Sequence, residues 1–280
     1  MADLDLAHLK SWEGRSMRAA DAVSPWLVAA FRATLDQDEG DLSPGAPAPQ
    51  GLHWCLALPT AKTAELGPDG HPARGGFLPP VPLPRRMWAG GRVRFSDSLR
   101  IGETIERRST VRSVELKDGR TGRLVFVVVE HAVSTARGLA ITEEHDIVYR
   151  GVEAPAVRPG GQTRIEEATD ARRVIEPSAA LLFRYSALTF NGHRIHYDRR
   201  YVTEEEGYPG LIVHGPLQAT LLIQLGGELM GRPLASFDFR ATKPLFDLAP
   251  FTIAARRGGE GLELWAADAA GERTMAARAG

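Results

Sequence analysis

The chain has 280 residues, of which 43% are hydrophobic and 25% are charged, the balance of a globular protein with a sizeable core. Its 34 basic and 35 acidic side chains leave a formal net charge of -1, so neither a nucleic acid nor an anionic membrane is an expected partner. The single cysteine, Cys55, excludes an internal disulfide and a thiolate metal cluster, and it favours a reducing compartment, which we expect to be the cytoplasm.

The first part of the chain predicts one helix between loops. Ser24 can cap a helix over residues 25–35, because proline suits the first helical position, where its missing N–H is not needed. The charge, Gly and Pro content of residues 37–50 and 65–86 is typical of loops. The apolar run over residues 53–58 predicts a short buried strand between these loops.

A period of two begins at Gly91 and predicts an antiparallel meander. Turn signals over residues 116–122 and 135–138 divide the meander into strands, the last of which ends at Arg150. Residues 151–170 contain several Pro and Gly residues and predict a linker.

The second half repeats this order of elements. A helix follows Gly215 and Pro216, and its apolar residues lie on nearly every side, so we expect it to be buried. Strands are predicted over residues 236–246, 250–257 and 261–279, the last range being interrupted by a turn. Each half therefore predicts a helix followed by an antiparallel meander.

This repeat predicts an α+β fold in which a sheet curls around a central helix, twice along the chain. The predicted first domain covers residues 1–150, the linker covers 151–170, and the second domain covers 171–280, which are ordinary domain sizes. A single α+β domain with an inserted lobe is the alternative.

The stretch from residue 183 to residue 218 is the most informative for chemistry. It holds three of the eight histidines, His193, His196 and His214. Gly215 marks the start of the buried helix, so its backbone N–H lies at the positive end of the helix dipole. Such an N–H can hold an oxyanion that develops on a thioester carbonyl, and a nearby imidazole can move a proton.

Structural roles compete with these functional ones. His193 and His196 have the spacing of a metal pair, but no cysteine or further histidine supports a metal site. His214 can serve as a buried capping residue, and arginines in loops are more often solvated than bound to a phosphate.

The run YSALTFNGHRIHYDRRYV, together with the later EGYPGLIVHGPLQATLL, resembles the hydratase motif of the MaoC-like, hot-dog-fold enoyl-thioester hydratases. It is more similar still to their type 2 hydroxyacyl-thioester dehydratase branch. The segments SWEGRS, PLPRRMWAGGRVRF and FDFRATKPLFDLAPFTI resemble the two-domain layout of the same branch, so the resemblance covers most of the chain. It implies a double hot dog whose first half is degenerate and shapes the acyl tunnel.

The resemblance also implies roles for individual residues. The family motif Gly-Asp-x-Asn-Pro-x-His places its histidine, the general base, on His196, and its oxyanion glycine falls on Gly215. The motif's aspartate falls on Asn191 and its first glycine on Phe190, so the usual Asp/His pair is incomplete here. Asn191 is expected to orient the water that His196 deprotonates.

Reversible hydration of an enoyl-CoA is the activity that the resemblance implies, without a metal or another cofactor. The expected acyl group is short and branched or dicarboxylic, such as mesaconyl-C4-CoA or itaconyl-CoA, and a homodimer is a possible assembly. The expected substrate-binding residues are Arg184, Tyr185, His193 and Arg240.

A dicarboxylic acyl group needs a cation in the tunnel, and Arg184, Arg194 and Arg240 are the candidates near the motif. Arg85, Arg86 and Trp88 can line an entrance for CoA, although a surface pair of arginines is more common. The alternative functions are a dehydratase of fatty-acid synthesis, a non-catalytic acyl-thioester binding protein and a hot-dog thioesterase.

Overall fold

The computed structural model describes residues 4–119, 122–151, 168–259 and 261–280. These residues form an α+β structure, as predicted, and the strands of the two halves join in one antiparallel sheet of ten strands. The α-helices are α1 (Leu6–Lys10), α2 (Pro25–Thr34), α3 (Ala179–Leu188) and α4 (Gly215–Met230). The strands are β1 (Ser16–Ala22), β2 (Arg85–Phe95), β3 (Thr104–Gly119), β4 (Gly122–Thr135), β5 (Gly138–Arg150), β6 (Ala171–Ile175), β7 (Ser236–Ala241), β8 (Phe251–Gly258), β9 (Gly261–Ala267) and β10 (Arg273–Ala279).

The order of strands in the sheet shows an internal repeat. The order is β1-β3-β4-β5-β2-β7-β10-β9-β8-β6, so each half contributes five strands in the same arrangement, and the halves meet where β2 pairs with β7. In each half an edge strand comes first, a helix follows, and the remaining strands form the meander. The predicted repeat of helix and meander is therefore present, with an additional edge strand in each half.

The division into domains at residues 150 and 171 stays a prediction. Most of the predicted linker, residues 152–167, lies outside the described residues.

The predicted helix cap is confirmed and one predicted strand is wrong. The Ser24 hydroxyl accepts a hydrogen bond from the Leu27 N–H at 3.1 Å, and Pro25 occupies the first position of α2. The run over residues 53–58 does not form a strand, since Leu52–Cys55 is a 3₁₀ turn that follows Gly51 with a φ of 90°. A short apolar run fits a buried turn as well as a buried strand, because both are covered by core on all sides.

Two strands and two helices had no clear signal in the sequence. The edge strands β1 and β6 are short and mostly exposed, so they lack the apolar alternation that marks a half-buried strand. Helix α1 has five residues, and α3 begins at Ser178, whose hydroxyl accepts from the Leu181 N–H at 3.2 Å.

The core that positions the site surrounds α4. Nine of the 16 residues of this helix are buried, and they pack against the strands β7 to β10. Side chains of α2 and α3 join the same core, while a second apolar cluster lies under the far ends of β3, β4 and β5. No helix within the described ranges has the length and hydropathy that crossing a membrane requires, and the cytoplasmic location stays a prediction.

Candidate active site

His196 and His214 lie face to face at the N-terminal end of α4. Their ring centroids are 3.7 Å apart and the ring planes are inclined by 19°. His196 ends a 3₁₀ turn, Arg194–His196, and His214 is the N-cap residue of α4. The chain between them is held to this turn because the Ile212 N–H donates to the Ile195 carbonyl at 3.0 Å.

The tautomer of His196 follows from the one hydrogen bond that its ring makes to the described residues. Nδ1 lies 2.7 Å from the carbonyl oxygen of Ile212, which only accepts, so Nδ1 carries the proton and Nε2 is left as the basic atom. Burial lowers the pKa of His196 to about 4, although the bond to Ile212 opposes the shift. His196 is therefore neutral at pH 7 and can accept a proton at Nε2.

His214 is fully buried and is held by α3. Its Nε2 lies 2.8 Å from the Ser186 hydroxyl, while its Nδ1 has no hydrogen-bond partner among the described residues. Burial lowers the pKa of His214 well below its ordinary value, and the neighbouring His196 and His193 act in the same direction. A neutral His214 is what the stacked pair requires, because two adjacent imidazolium rings would repel each other.

Gly215 begins α4 and lies under the indole of Trp88. A Cβ atom at this position would be 3.0 Å from Cε3 of Trp88, so a side chain would press on the ring. Pro216 follows and has no N–H, so the Gly215 N–H is the first donor at the positive end of this 16-residue helix. The Gly215 N–H is therefore a backbone donor that lies beneath the indole ring of Trp88.

Asn191 and Phe190 show how the altered motif keeps its backbone shape. The Asn191 Oδ1 atom accepts from the His193 N–H at 3.0 Å, an Asx turn that an aspartate would also form. The amide nitrogen of Asn191 is left to donate a hydrogen bond to a substrate water. Phe190, at the glycine position of the motif, has a φ of 47° in the left-handed region and is exposed.

A loop from the first half completes the cluster, and sequence reasoning missed it because residues 65–86 carry only the Gly and Pro content of a loop. The Asp69 carboxylate accepts from the His71 N–H at 3.0 Å and lies 3.2 Å from its Nδ1. The His71 ring then packs on His193 with centroids 4.0 Å apart, and His193 lies edge-on to His196 with centroids 5.5 Å apart.

Close backbone contact holds this loop in place. Gly70 has a φ of 85°, and a Cβ atom on it would lie 1.9 Å from the Gly192 carbonyl oxygen, so only glycine fits. The Arg194 N–H donates to the Asp69 carbonyl, and its guanidinium donates to the Pro68 carbonyl, each at 2.9 Å. Arg194 thus fastens the loop to the motif.

Asp69, His71 and His193 also present ligand atoms within 4.8 Å of one another, a spacing that a divalent cation can occupy. The neutral imidazoles suit such a ligand set, and the positive charges nearby oppose it. Burial lowers the pKa of His71, the bond to Asp69 opposes this, and the charges of Arg86 and Arg74 lower it further. A cluster that already feels two guanidinium groups suits an anion better than a metal ion.

The remaining residues expected to bind substrate do not join the histidines. Arg184 is exposed on α3, and Arg240 is exposed on β7, where the alternating Phe237 and Phe239 face the core. The Tyr185 hydroxyl is buried and lies 3.0 Å from the Thr220 hydroxyl, which gives it a packing role. Their assignment to substrate stays a prediction, and the geometry supports His193, His196, Asn191 and Gly215 instead.

The chain is similar to a known protein family and to a known enzyme along most of its length. Residues 51–247 match the family model described as hydroxyacyl-thioester dehydratase type 2. The chain is 45% identical over 269 residues, 95% of each chain, to the mesaconyl-C4-CoA hydratase of Chloroflexus aurantiacus.

Two solved structures from Mycobacterium tuberculosis share the fold. HtdX is 19% identical, with a TM-score of 0.67 over 95% of this chain and 99% of its own. A conserved hypothetical protein described as having a double hot dog fold is 13% identical, with a TM-score of 0.56 over 95% of each chain. The double hot dog expected from the sequence is thereby confirmed.

Proposed function

Since the chain belongs to the hydroxyacyl-thioester dehydratase type 2 family, we propose that it catalyses the reversible addition of water to a short enoyl-CoA. The observation that carries this proposal is the pairing of a neutral, buried His196, free at Nε2, with the Gly215 N–H at the start of α4. A base and an oxyanion donor side by side are what hydration beside a thioester carbonyl requires.

The proposed reaction has two steps. In the first, His196 Nε2 takes a proton from water, the water oxygen forms a bond to the β-carbon, and the electron pair of the double bond moves onto the thioester oxygen. The Gly215 N–H and the dipole of α4 stabilise the resulting enolate. In the second step the His196 imidazolium returns the proton to the α-carbon, and the thioester carbonyl is restored.

The first half contributes positioning residues in this proposal. Asn191 cannot ionise, so the only carboxylate of the histidine cluster described above is that of Asp69. Asp69 orients His71 through two hydrogen bonds, and His71 in turn packs on His193 beside the base. We propose that this Asp69–His71 pair fixes the ring of His193 and thereby the water that His196 deprotonates.

For the acyl group we propose a branched dicarboxylic unit, and mesaconyl-C4-CoA is the first substrate to test. The support is the 45% identity to the mesaconyl-C4-CoA hydratase of C. aurantiacus along nearly the whole of both chains. Trp88 favours a short group as well, since it covers Gly215 and is itself surrounded by the rings of Trp54, Phe239 and His145.

The deciding experiment is an assay of the purified protein with mesaconyl-C4-CoA and crotonyl-CoA. Hydration removes the absorbance of the conjugated enoyl thioester and adds the mass of one water, without release of a thiol. A thioesterase would instead release free CoA, which a thiol reagent detects. A binding protein would retain the thioester unchanged, and either of these results would refute the proposal.

We also propose a homodimer. Trp26 on α2 and Phe183 on α3 are large aromatic side chains with 74% and 64% of their surface exposed, and the two helices pack against each other. Exposed aromatic side chains on neighbouring helices favour association. The mass in solution tests this, with Trp26→Glu expected to yield monomer and an unchanged mass refuting the assigned surface.

A further inference from the structure

The strand β2 places an arginine between the two halves of the molecule. Arg86 lies opposite Tyr149 of β5, so the two side chains share one face of the sheet, and the charge of Arg86 lowers the pKa of that buried phenol against the larger effect of burial, which raises it. Trp88 lies two residues further along, on the same face of the strand, and its indole covers Gly215. Arg86 therefore extends from the strand on the side that faces the start of α4.

The charge of Arg86 reaches the histidines of the site. After burial, which is the largest cause, Arg86 is among the positive groups that lower the pKa of His71 and of His193. It acts in the same way on His145, which packs against Trp88. The Arg86 guanidinium is thus within electrostatic range of His71, His193 and His145.

Arg86 is half-buried and has no ion-pair partner among the residues that the structure describes. Its neighbour Arg85, on the other face of β2, pairs with Glu206 and lies over the ring of Tyr208. Arg194 is engaged by Asp198 and lies over Tyr201. A half-buried guanidinium without a carboxylate favours binding an anion from outside the chain.

The chemistry of the substrate class supplies such an anion. In a methylbutenedioic acid joined to CoA at C4, the free carboxylate is attached directly to the β-carbon, where water adds. Its cation must therefore lie within a few ångströms of the attacked carbon and of the base. The three arginines favoured by the sequence fail this requirement, since Arg184 and Arg240 are exposed and Arg194 is paired.

We propose that the Arg86 guanidinium binds the carboxylate on the β-carbon of the acyl group and so selects dicarboxylic enoyl thioesters; this inference rests on the proposed hydratase function. The planar fork of arginine accommodates both carboxylate oxygens. Neutralising this carboxylate also removes the repulsion that an approaching, partly deprotonated water would otherwise meet. Arg86 therefore acts on both binding and turnover.

The test uses pairs of thioesters that differ only in a carboxylate or a methyl group. Mesaconyl-C4-CoA is compared with 3-methylcrotonyl-CoA as a substrate, and saturated 2-methylsuccinyl-C4-CoA is compared with isovaleryl-CoA in calorimetric binding. Arg86→Met is expected to reduce hydration of the dicarboxylic substrate and binding of its saturated analogue roughly 30-fold or more, while the neutral partners change little. Arg86→Lys keeps the charge but not the fork, and an intermediate loss is expected.

Arg85→Met is the matched control on the opposite face of the same strand, and it is expected to leave the preference for the carboxylate intact. An equal loss for carboxylated and neutral thioesters in Arg86→Met would overturn the proposal, as would the same loss of preference in Arg85→Met. If the wild type hydrates neither substrate but binds 2-methylsuccinyl-C4-CoA through Arg86, the hydratase function fails and the carboxylate site stands.

Discussion

His196 and His214 stack with their ring centroids 3.7 Å apart, and a separate hydrogen bond holds each ring. The Ile212 carbonyl holds His196 and the Ser186 hydroxyl holds His214. Because each hydrogen bond uses one ring nitrogen, the stack leaves only Nε2 of His196 and Nδ1 of His214 without a partner among the described residues. We therefore propose His196 as the base, since it keeps 7% of its surface exposed whereas His214 is fully buried.

Replacing His196 with alanine should remove the base while preserving the fold. We expect kcat for mesaconyl-C4-CoA to fall about 10²–10⁴-fold, the usual contribution of a general base. The thermal midpoint and the binding of a saturated acyl-CoA should change much less. The matched control is His8→Ala on α1, an exposed histidine outside the cluster, which should retain wild-type turnover. Near-normal turnover in His196→Ala would remove His196 from the mechanism.

The pH dependence of kcat/KM should show a base that titrates far below an ordinary histidine. Burial lowers the pKa of His196 to about 4, so the neutral, active form persists down to that pH, and activity should fall only below it. The folded pKa is below the unfolded value of 6.5, so the unfolded chain binds more protons between these values and stability decreases as pH falls through that window. Brief activity assays report the protonation of the base, and circular dichroism at each pH reports whether the protein is still folded. An acid limb near pH 6.5 in a fully folded sample would contradict the assignment.

The elements that follow local rules could be predicted from the sequence. Ser24 and Pro25 mark the start of α2 through chemistry confined to four residues, and the alternation in β7 places Phe237 and Phe239 on the core face. The start of α4 at Gly215 follows from the Gly-Pro signal at residues 215 and 216, whereas nothing in the sequence indicated that His196 stacks on His214.

Contacts between the halves could not be predicted in this way. Asp69 and His71 are 122 or more residues from His193 in the sequence, and only the docking of Gly70 on Gly192 brings them together. In the sequence, Arg86 is one of two adjacent arginines, which are usually exposed. Only the pairing of β2 with β5 and β7 shows which side of the sheet its side chain lies on. Register across a sheet depends on the whole fold and not on neighbouring residues.

Replacing Gly215 with alanine tests the oxyanion position. The added methyl group would meet Trp88 Cε3 at 3.0 Å, so the indole and the first turn of α4 must separate by a few tenths of an ångström. We expect kcat/KM to fall by more than about tenfold with little loss of stability, because misplaced donors weaken transition-state binding strongly. Gly227→Ala in the same helix is the control, since its methyl group would come no closer than 3.7 Å to another atom. Equal activity in both variants would exclude a close approach of substrate to Gly215.

Replacing Asp69 with asparagine tests the positioning role of the first half. The side chain keeps its size and one acceptor for the His71 N–H, while the Asp69 carbonyl still binds Arg194, so the loop should stay docked. The negative charge of Asp69 raises the pKa of His71 and of His193, and its loss should lower both further. We expect kcat to fall about tenfold with little change in KM, because a neutral side chain holds the His71 ring less firmly and a small misplacement beside the base slows turnover. Histidine proton titrations by NMR would show whether the two pKa values move, and unchanged titrations with unchanged kcat would refute this role.

The hydrogen bond between Ser186 and His214 should contribute to stability, and a double-mutant cycle can isolate it. Ser186→Ala leaves both nitrogens of a fully buried imidazole without a partner among the described residues, since Nδ1 already lacks one. We expect the free energy of unfolding to fall by about 1–3 kcal/mol, the usual penalty for an unsatisfied buried polar group. His214→Phe replaces the ring with one that needs no partner, so Ser186→Ala should have a much smaller effect in that background, and the difference gives the coupling energy. If Ser186→Ala has the same effect in both backgrounds, the loss comes from packing of α3 and the hydrogen bond does not anchor His214.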